Sequence, residues 1–560
     1  MKKCVKLEMP PQAMAFYRQG AREANSAARA RNNTGHQITK GRYVNPIELK
    51  LFTSRLQAIC DEMGGVLQRS AFSPNIKDRL DFSCAVFAAN GELASQAAHI
   101  PVHLGSMAYT MQALVASQDW QPGDMLVINN PYLGGTHLPD VTLLAPVFMG
   151  RSTTRPRLVG FVANRAHHAH IGCETPGSMP LSATINDEGV LIAPTLLLRG
   201  GELQSCGESI DALLYEQPGV LSGDFAAQVG ANLLAVDRLR ALVAAYGAAR
   251  YSAALDALNA YARRLSAAAL GQLADGEYSA EDFLDDDGFG GEQLPLRVKI
   301  QIKGARIQFD FTQSADQVRG NLNCPESVAA AAAYYCHCCL LPEDVPLCAG
   351  LFADLTVITR KSSVLNPEYP AAVAAGNVET SMRLVDVIFR ALAPAVPTRI
   401  PAASQGTMNN VAMGAMRELG SRWDYYETLA GGAGGGPRRS GCSAVHTHMT
   451  NTLNTPVESL EYHYPLRMRR VAIRRGSGGR GLNRGGEGLI REYEFLEEAQ
   501  LSLLTERRRF APWGLCGGGE GEVGQNWLNG KKIPAKAELA VRPGDRLTIE
   551  TPGGGGWGQD

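Results

Sequence analysis

Apolar residues recur every three to five positions over a stretch that begins just after Asn45-Pro46. The positions that share this spacing are Ile47, Leu51, Leu56, Ile59, Met63 and Leu67. This periodicity predicts a long amphipathic helix. Residues 223–270 are rich in alanine and leucine and contain no proline, which predicts one or two further long helices.

Short runs rich in β-formers alternate with Gly/Pro turns over residues 75–210, and strand-like alternation returns later in the chain. The clearest runs are Phe82–Phe87, Met125–Ile128, Leu158–Ala163, Leu296–Ile302 and Gln500–Leu504. Such runs are typical of strands. We therefore expect an α+β fold that is multi-lobed, with mixed β-sheets, long helices and a β-rich C-terminal lobe.

A chain of 560 residues is too long for one ordinary core and should divide into lobes. Residues 1–44 are polar with little apolar periodicity, so we interpret them as an N-terminal extension whose composition is compatible with mobility. We then expect an α/β lobe over 45–220, a helical and mixed α/β lobe over 221–460, and a β-rich lobe over 461–560.

The bulk composition excludes several classes of partner. Charged residues make up 19% of the chain and the net charge is -1, which indicates neither a nucleic-acid nor a membrane-surface partner. The small-apolar run Val328–Leu341 is too short to span a bilayer, and no apolar run near Met1 is typical of a signal peptide. The irregularly spaced cysteines fit free thiols, so we expect a cytoplasmic protein.

Six of the eleven histidines fall within one short region of the chain. They lie in the phrases His99-Ile-Pro-Val-His103, Thr136-His137-Leu-Pro-Asp140 and Ala166-His167-His168-Ala-His170. Imidazole and carboxylate are the ligands that hold Zn²⁺, Mn²⁺ or Fe²⁺. The cluster therefore indicates a divalent transition-metal site, although each histidine taken singly also fits a polar core position.

The separate phrases leave alternatives open. His137 and Asp140 flank a proline turn and could share one ion, or could merely brace that turn. Strand alternation sends His168 and His170 to one face and His167 to the other. We favour His168 and His170 as ligands and place His167 beside them or against substrate; a strand-to-loop bend would reverse that choice.

Asp81 precedes a predicted strand and is a candidate bridging carboxylate, or a partner in a salt bridge with Arg79 or Lys77. The polar string Ser404–Asn410, which ends on Asn410, could orient an amide or carboxylate substrate or satisfy buried backbone. No GxxxxGK[ST] occurs, and the glycine-rich stretches 431–436 and 553–556 are interpreted as tight loops in which backbone packs on backbone.

Several phrases together resemble the hydantoinase B/5-oxoprolinase family, which includes relatives of the acetone carboxylase large subunit. The matching phrases are Ser73–Cys84, His99–Ser106, Asn130–Asp140, Asn164–His168, Gly376–Thr380, Ser404–Asn410, His448–Thr452, Thr505–Arg509 and Glu550–Gly556. The resemblance runs from about Asn45 to the end of the chain.

This resemblance implies the B-type subunit of an ATP-dependent cyclic amide hydrolase and therefore a hetero-oligomer. An actin-like A subunit would use ATP to phosphorylate the ring, and this chain would open the activated ring at its metal site. The resemblance implies that the metal ligands are Asp81, His137, Asp140 and His168. His103 or Glu379 would be the general base, and the sequence does not choose between them.

Two positions depart from the pattern that the resemblance leads us to expect. His170 and Asn130 stand where relatives usually carry aspartate, and a less anionic site should favour Zn²⁺, Fe²⁺ or Ni²⁺ over Mn²⁺ or Mg²⁺. Two other functions remain open: a carboxylase subunit of the acetone carboxylase kind, and a non-catalytic partner subunit that has lost its metal.

Overall fold

Helices and several sheets of different sizes make up the fold, which confirms the α+β class predicted from the sequence. The computed structural model describes residues 45–560 except 98, 104, 151–155 and 417–421. The interpretation of residues 1–44 therefore lies outside the described residues. The α-helices are α1 (Pro46–Ser70), α2 (Pro74–Lys77), α3 (Ser106–Leu114), α4 (Glu208–Leu214), α5 (Gly223–Tyr246), α6 (Ala248–Leu270), α7 (Glu326–Cys338), α8 (Ser381–Leu392) and α9 (Val457–His463).

The predicted helices are confirmed at α1, α5 and α6. One face of α1 is buried, because Phe52, Leu56 and Met63 recur at helical spacing and pack into the core. Within the described ranges, none of the helices combines the length and apolar character that a bilayer span requires.

Two of the three histidine phrases reach the ends of β4 and β5 in a seven-stranded antiparallel sheet of order β2-β1-β5-β4-β3-β6-β7. Its strands are β1 (Phe82–Ala88), β2 (Leu93–Gln96), β3 (Met125–Ile128), β4 (Asp140–Met149), β5 (Arg157–His167), β6 (Thr195–Arg199) and β7 (Glu202–Leu203). A small hairpin of β8 (Tyr215–Gln217) and β9 (Val220–Leu221) follows it.

Strands β4 and β5 are covered on both faces, so almost every residue in them is buried. On one face, Val141 and Val162 join a core cluster that includes side chains of α1, α5 and α6. On the other face, Leu144 and Phe161 pack with Met107 and other side chains of α3. The two faces of the sheet therefore have different helical neighbours, and this difference decides where each histidine lies.

A second core forms where α7 and α8 pack against a four-stranded sheet. Strand β11 alternates strictly between buried and exposed residues along most of its length, because one of its faces meets those helices. The order is β10-β11-β12-β13, and only the last pair is parallel. The strands are β10 (Gly276–Asp286), β11 (Glu292–Lys303), β12 (Arg306–Asp310) and β13 (Leu355–Ile358).

The C-terminal part is β-rich, as expected, and two antiparallel sheets there contribute side chains to one apolar cluster. The four-stranded sheet, of order β15-β14-β18-β21, contains β14 (Asn410–Met416), β15 (Arg422–Glu427), β18 (Ala499–Leu504) and β21 (Lys536–Val541). The five-stranded sheet, of order β16-β17-β22-β19-β20, contains β16 (Leu466–Arg474), β17 (Gly488–Phe495), β19 (Gln525–Leu528), β20 (Lys531–Ile533) and β22 (Arg546–Glu550).

The glycine-rich stretches form closely packed loops, as predicted from their sequence. The N–H of Gly435 donates to the carbonyl of Gly555 at 2.8 Å, and Gly554 donates to Gly486 at 2.9 Å. A Cβ added at Gly554 would overlap the backbone of Ala433. Glycine is required here because backbones approach too closely to leave room for a side chain.

Candidate metal centre

The pairing of β4 with β5 brings two of the predicted site residues together. Asp140 is the first residue of β4, His167 is the last residue of β5, and the two lie directly opposite each other. Opposed residues of an antiparallel pair project to the same face of the sheet. The Nδ1 atom of His167 lies 3.2 Å from Oδ1 of Asp140. His137, in the turn before β4, places Nε2 3.1 Å from the same oxygen.

The three donor atoms fit a divalent transition-metal ion. His137 Nε2 and His167 Nδ1 are 3.3 Å apart, which is close to the ~3.3 Å that separates ligands in a tetrahedral site with bonds near 2.0–2.1 Å. Nδ1 of His137 lies 3.2 Å from the carbonyl oxygen of Ala374. Donation of an N–H to that oxygen leaves Nε2 unprotonated, which is the tautomer that a metal ligand requires. His137, Asp140 and His167 are all buried.

Asp140 is the electrostatic centre of this cluster. Burial alone would raise the pKa of its carboxyl, but His137 and His103 hold that pKa well below its ordinary value. The Thr136 hydroxyl donates to Oδ2 at 2.5 Å, and Asn377 Nδ2 donates to the same oxygen at 3.4 Å. The carboxylate is therefore kept ionised, which is the form that binds a cation.

His103 joins the cluster through the second oxygen of Asp140. Its Nε2 lies 3.2 Å from Asp140 Oδ2, and its Nδ1 lies 2.9 Å from the Ser83 hydroxyl. Both ring nitrogens thus have partners, and the ring is 1% exposed. The Ser83 hydroxyl can donate to Nδ1 or accept from it, and the Asp140 carboxylate accepts from a protonated Nε2.

Asp81 lies at the edge of the same site. It lines a small cleft, with a volume of about 20 Å³, together with His103, Asp140 and His167. Its backbone carbonyl accepts the N–H of His167 at 3.0 Å, and its carboxylate lies 3.6 Å from Nη2 of Arg79. The structure thus shows Asp81 as a salt-bridge partner in the wall of the cleft, outside the three residues whose donor atoms converge, and its role as a bridging ligand stays a prediction.

The structure separates His168 and His170 from the cluster, which differs from the sequence interpretation. His168 faces α5, where its Nε2 lies 2.9 Å from Gln228 Oε1 and its ring stacks on Phe225. His170 is exposed, and Arg422 and Asp424 are its charged neighbours. The donor atoms that converge with Asp140 belong to His137 and His167 instead, because the register of β4 and β5 places His167 opposite Asp140.

Asn130 is the other position at which the chain departs from the expected pattern, and its side chain has a local structural role. The side-chain oxygen of Asn130 accepts the N–H of Tyr132 at 2.9 Å and so caps the short helical turn Pro131–Leu133. Asparagine and aspartate cap such turns equally well. The observed role of the Asn130 side chain is thus to support the turn that precedes His137.

Glu379 and Asn410 meet in a separate buried position. Glu379 Oε1 accepts from the N–H of Met408 at 3.1 Å and from Asn410 Nδ2 at 2.6 Å. Burial raises the pKa of Glu379 to about 8, so its carboxyl is largely protonated at neutral pH. The side chain of Asn410 also donates to the carbonyl of Leu504 and accepts from the hydroxyl of Tyr426. Asn410 therefore has its hydrogen-bonding groups occupied by the protein.

Two contributors to the site were not singled out in the sequence. The Tyr426 ring stacks on His167 at 4.7 Å between ring centroids, and Asn377 bonds Asp140 as described. Asn377 lies inside the phrase Gly376–Thr380, where only Glu379 drew attention. Tyr426 is far from the histidines in sequence, and no local pattern in the chain points to it.

The family of this chain is clear from comparison with known proteins. The family model described as hydantoinase B/oxoprolinase matches residues 45–560. The chain is 37% identical over 548 residues to 5-oxoprolinase 1 of Arabidopsis thaliana, covering 92% of this chain and 42% of that protein. It thus spans about two-fifths of the length of this relative.

Solved structures show the same architecture. The ATP-dependent caprolactamase from Pseudomonas jessenii superposes with a TM-score of 0.84 at 25% identity, covering 92% of both chains. The nucleotide-free structure of acetone carboxylase superposes with a TM-score of 0.80 at 17% identity, covering 92% of this chain and 76% of that one, and shows the shared fold. From the family model and these relatives together, this chain belongs to the hydantoinase B/oxoprolinase family.

Proposed function

We propose that this chain is the metal-dependent hydrolytic component of an ATP-dependent cyclic amide hydrolase. The observation that carries the proposal is the convergence of buried donor atoms from His137, Asp140 and His167, of which Asp140 and His167 line the cleft. Membership of the hydantoinase B/oxoprolinase family and likeness to a caprolactamase support the cyclic amide as substrate class.

His137, Asp140 and His167 would hold a Zn²⁺, Fe²⁺ or Mn²⁺ ion, with Asp81 as an adjoining carboxylate. A bound ion of this kind lowers the pKa of a coordinated water and polarises the carbonyl under attack. Thr136 and Asn377 hold the carboxylate of Asp140 in place, and Ala374 fixes the tautomer of His137. The protein thus supplies a rigid, buried and mostly neutral donor set.

His103 is the group that we assign to proton transfer, in preference to Glu379. His103 lines the cleft and contacts Asp140, so its Nε2 lies next to the reacting region. Glu379 is not among the residues that line this cleft in the described part of the chain, and its raised pKa keeps it protonated at neutral pH. A protonated carboxyl cannot accept the proton that hydrolysis releases.

The walls of the cleft combine apolar and polar side chains. Apolar side chains of Ile100, Val102 and Val378 line it, and the threonines Thr428 and Thr452 supply hydroxyl groups. Mostly apolar pockets with a few placed polar groups are typical of small-molecule sites. We assign ATP use to an A-type partner subunit in a hetero-oligomer, as the family resemblance implies. The lack of a GxxxxGK[ST] phosphate-binding loop in this sequence agrees with that assignment.

The decisive experiment is reconstitution with an A-type subunit of this family. Turnover of 5-oxoproline, hydantoin, caprolactam and acetone is measured with and without ATP and bicarbonate. We expect ATP-dependent ring opening that needs both subunits and no bicarbonate. Bicarbonate-dependent consumption of acetone would instead identify a carboxylase, and activity of the partner alone would identify this chain as non-catalytic.

A matched variant ties the activity to the proposed centre. Asp140→Asn retains the size of the side chain but removes its charge, so metal content and ring opening should both fall. Full activity in a metal-depleted Asp140→Asn enzyme would contradict the proposal.

A further inference from the structure

The two histidines of the candidate metal centre are oriented by different kinds of contact. Nδ1 of His137 has the carbonyl oxygen of Ala374 as its partner, 3.2 Å away. A ligating histidine usually has such an acceptor at its second ring nitrogen, and this acceptor orients the ring. In His167 the second nitrogen is Nε2, which is buried and has no hydrogen-bond partner among the described residues. The orientation of the His167 ring must therefore come from another contact.

The ring of Tyr426 supplies that contact. Its centroid lies 4.7 Å from the centroid of the His167 ring, and the two rings are inclined by only 12°, which is a stacked arrangement. Tyr426 is 2% exposed and lines the cleft together with His167. The guanidinium carbon of Arg79 lies 5.0 Å from the centre of the same tyrosine ring. Stacking confines an imidazole to one plane, so a displaced Tyr426 ring would change the direction of His167 Nδ1.

A chain of hydrogen bonds holds the hydroxyl end of Tyr426. This hydroxyl donates to Oδ1 of Asn410 at 2.7 Å, and Nδ2 of Asn410 donates to Oε1 of Glu379 at 2.6 Å. Glu379 Oε1 also accepts the N–H of Met408 at 3.1 Å. Glu379 is 0% exposed and Asn410 is 1% exposed. Hydrogen bonds that are linked in a buried setting polarise one another, which favours a single fixed arrangement of the three side chains.

The segment that carries the last member of this chain also reaches the other two donors of the centre. It is the π-helical stretch Gly376–Thr380, in which Asn377 donates to Oδ2 of Asp140 at 3.4 Å. Ala374, two residues before the stretch, is the partner of His137. π-helical turns are rare and often occur at functional sites. One short piece of chain thus supports all three candidate ligands, two of them by direct contact and the third through intervening side chains.

We propose that Glu379, Asn410 and Tyr426 are positioning residues that fix the ring plane of His167 for metal binding. The inference rests on the proposed function and adds to it three side chains whose atoms are not among the converging donors. Glu379 orients the amide of Asn410, and that amide holds the hydroxyl of Tyr426. The ring of Tyr426 then orients His167. Removal of residues that support a ligand in this way typically lowers metal affinity by about 10–100-fold.

The first test changes the residue farthest from the metal, in the full chain without partner or ATP. Glu379→Ala removes the acceptor of Asn410, whereas Glu379→Gln retains an oxygen that can accept the same two hydrogen bonds. Binding of Co²⁺ is measured by titration, and its visible absorption spectrum reports the ligand geometry. Glu379→Ala should weaken Co²⁺ binding about tenfold and alter the spectrum, and Glu379→Gln should restore both. Wild-type affinity and spectrum in folded Glu379→Ala would overturn the proposal.

Tyr426→Phe and Tyr493→Phe form a matched pair that covers the case in which Glu379→Ala does not fold. Each removes one buried hydroxyl that donates a hydrogen bond, from Tyr426 to Asn410 and from Tyr493 to Glu427 Oε2 at 2.9 Å. Both variants should melt at a lower temperature than wild type, but only Tyr426→Phe should weaken Co²⁺ binding and alter the spectrum. Equal effects of the two variants on the Co²⁺ centre would show a merely structural role and overturn the proposal.

A metal-free measurement separates this proposal from the proposed function. In the chelated chain, modification of His167 by diethylpyrocarbonate is followed by mass spectrometry of peptide fragments, with the exposed His463 as internal reference. Tyr426→Phe should speed the modification of His167 about three- to tenfold, because loss of one buried hydrogen bond frees the stacked rings more often. Tyr493→Phe should leave the rate unchanged. An unchanged rate in Tyr426→Phe would overturn the positioning role, whereas a wild-type chain that binds no Co²⁺ would count against the proposed function.

Discussion

Asp140 and His167 face each other across β4 and β5, with carboxylate oxygen and ring nitrogen 3.2 Å apart. His168, one residue further on, points to α5 and contacts Gln228 instead. A step of one residue at the end of an extended strand thus separates a candidate metal ligand from a core contact.

This relationship yields a paired test of the two adjacent histidines. His167→Ala should reduce metal affinity by about tenfold or more, because it removes a proposed ligand. His168→Ala should retain the metal but lower the free energy of unfolding by about 1–3 kcal/mol, because Gln228 loses its partner and Phe225 its stacking ring. Elemental analysis and urea unfolding of the same samples distinguish the two. Metal loss in His168→Ala alone would reverse the assignment.

His170→Asp tests whether residue 170, where relatives usually carry aspartate, influences which metal ion is bound. Since His170 is exposed and lies among Arg422 and Asp424, the substitution should leave the preference among Zn²⁺, Fe²⁺ and Mn²⁺ unchanged. Competition between these ions, followed by elemental analysis, measures the preference. A shift toward Mn²⁺ would show that residue 170 reaches the ion.

Glu188 should make stability depend on pH in the acid-to-neutral range. Burial raises the pKa of Glu188 to about 7, even though Ala374, Ser182 and Val373 donate hydrogen bonds to it. The folded state therefore retains a proton that the unfolded state releases near pH 4.5. The stability associated with this proton is present below about pH 4.5 and is lost as the pH rises to about 7.

Glu188→Gln removes this titration while an amide oxygen can keep the three accepted hydrogen bonds. Relative to wild type, the variant should gain about 3 kcal/mol in free energy of unfolding between pH 4.5 and 7, and no more above that. Urea unfolding across this range measures the difference. The exposed Glu458→Gln exchange is the control and should leave the wild-type profile in place. A constant difference between Glu188→Gln and wild type would refute the assignment.

The glycine-rich loops should tolerate no side chain at their contact points. Gly554→Ala places a methyl group against the backbone of Ala433 and should cost about 3 kcal/mol, because backbone cannot move aside cheaply. Gly230, in α5, has open space around an added Cβ, so Gly230→Ala should stabilise by about 0.5–1 kcal/mol. Calorimetric melting of both variants tests this contrast, and a neutral Gly554→Ala would contradict it.

Local periodicity was sufficient to predict several elements. The apolar stripe over α1 and the proline-free segment that forms α5 and α6 predicted helices, and the run Phe82–Phe87 predicted β1. These features depend on contacts between residues close in sequence or on burial of one face, and both leave a pattern in the chain.

By itself, the sequence determined the fold class, the main helices and strands, and the region in which imidazole and carboxylate groups gather. Only the tertiary structure decided that His167 joins Asp140, that His170 lies at the surface, and that Tyr426 stacks beside them. The physical reason is register. Alternation along one strand divides its residues into two faces, but which face meets a given partner depends on how β4 and β5 align and on which helix covers each side.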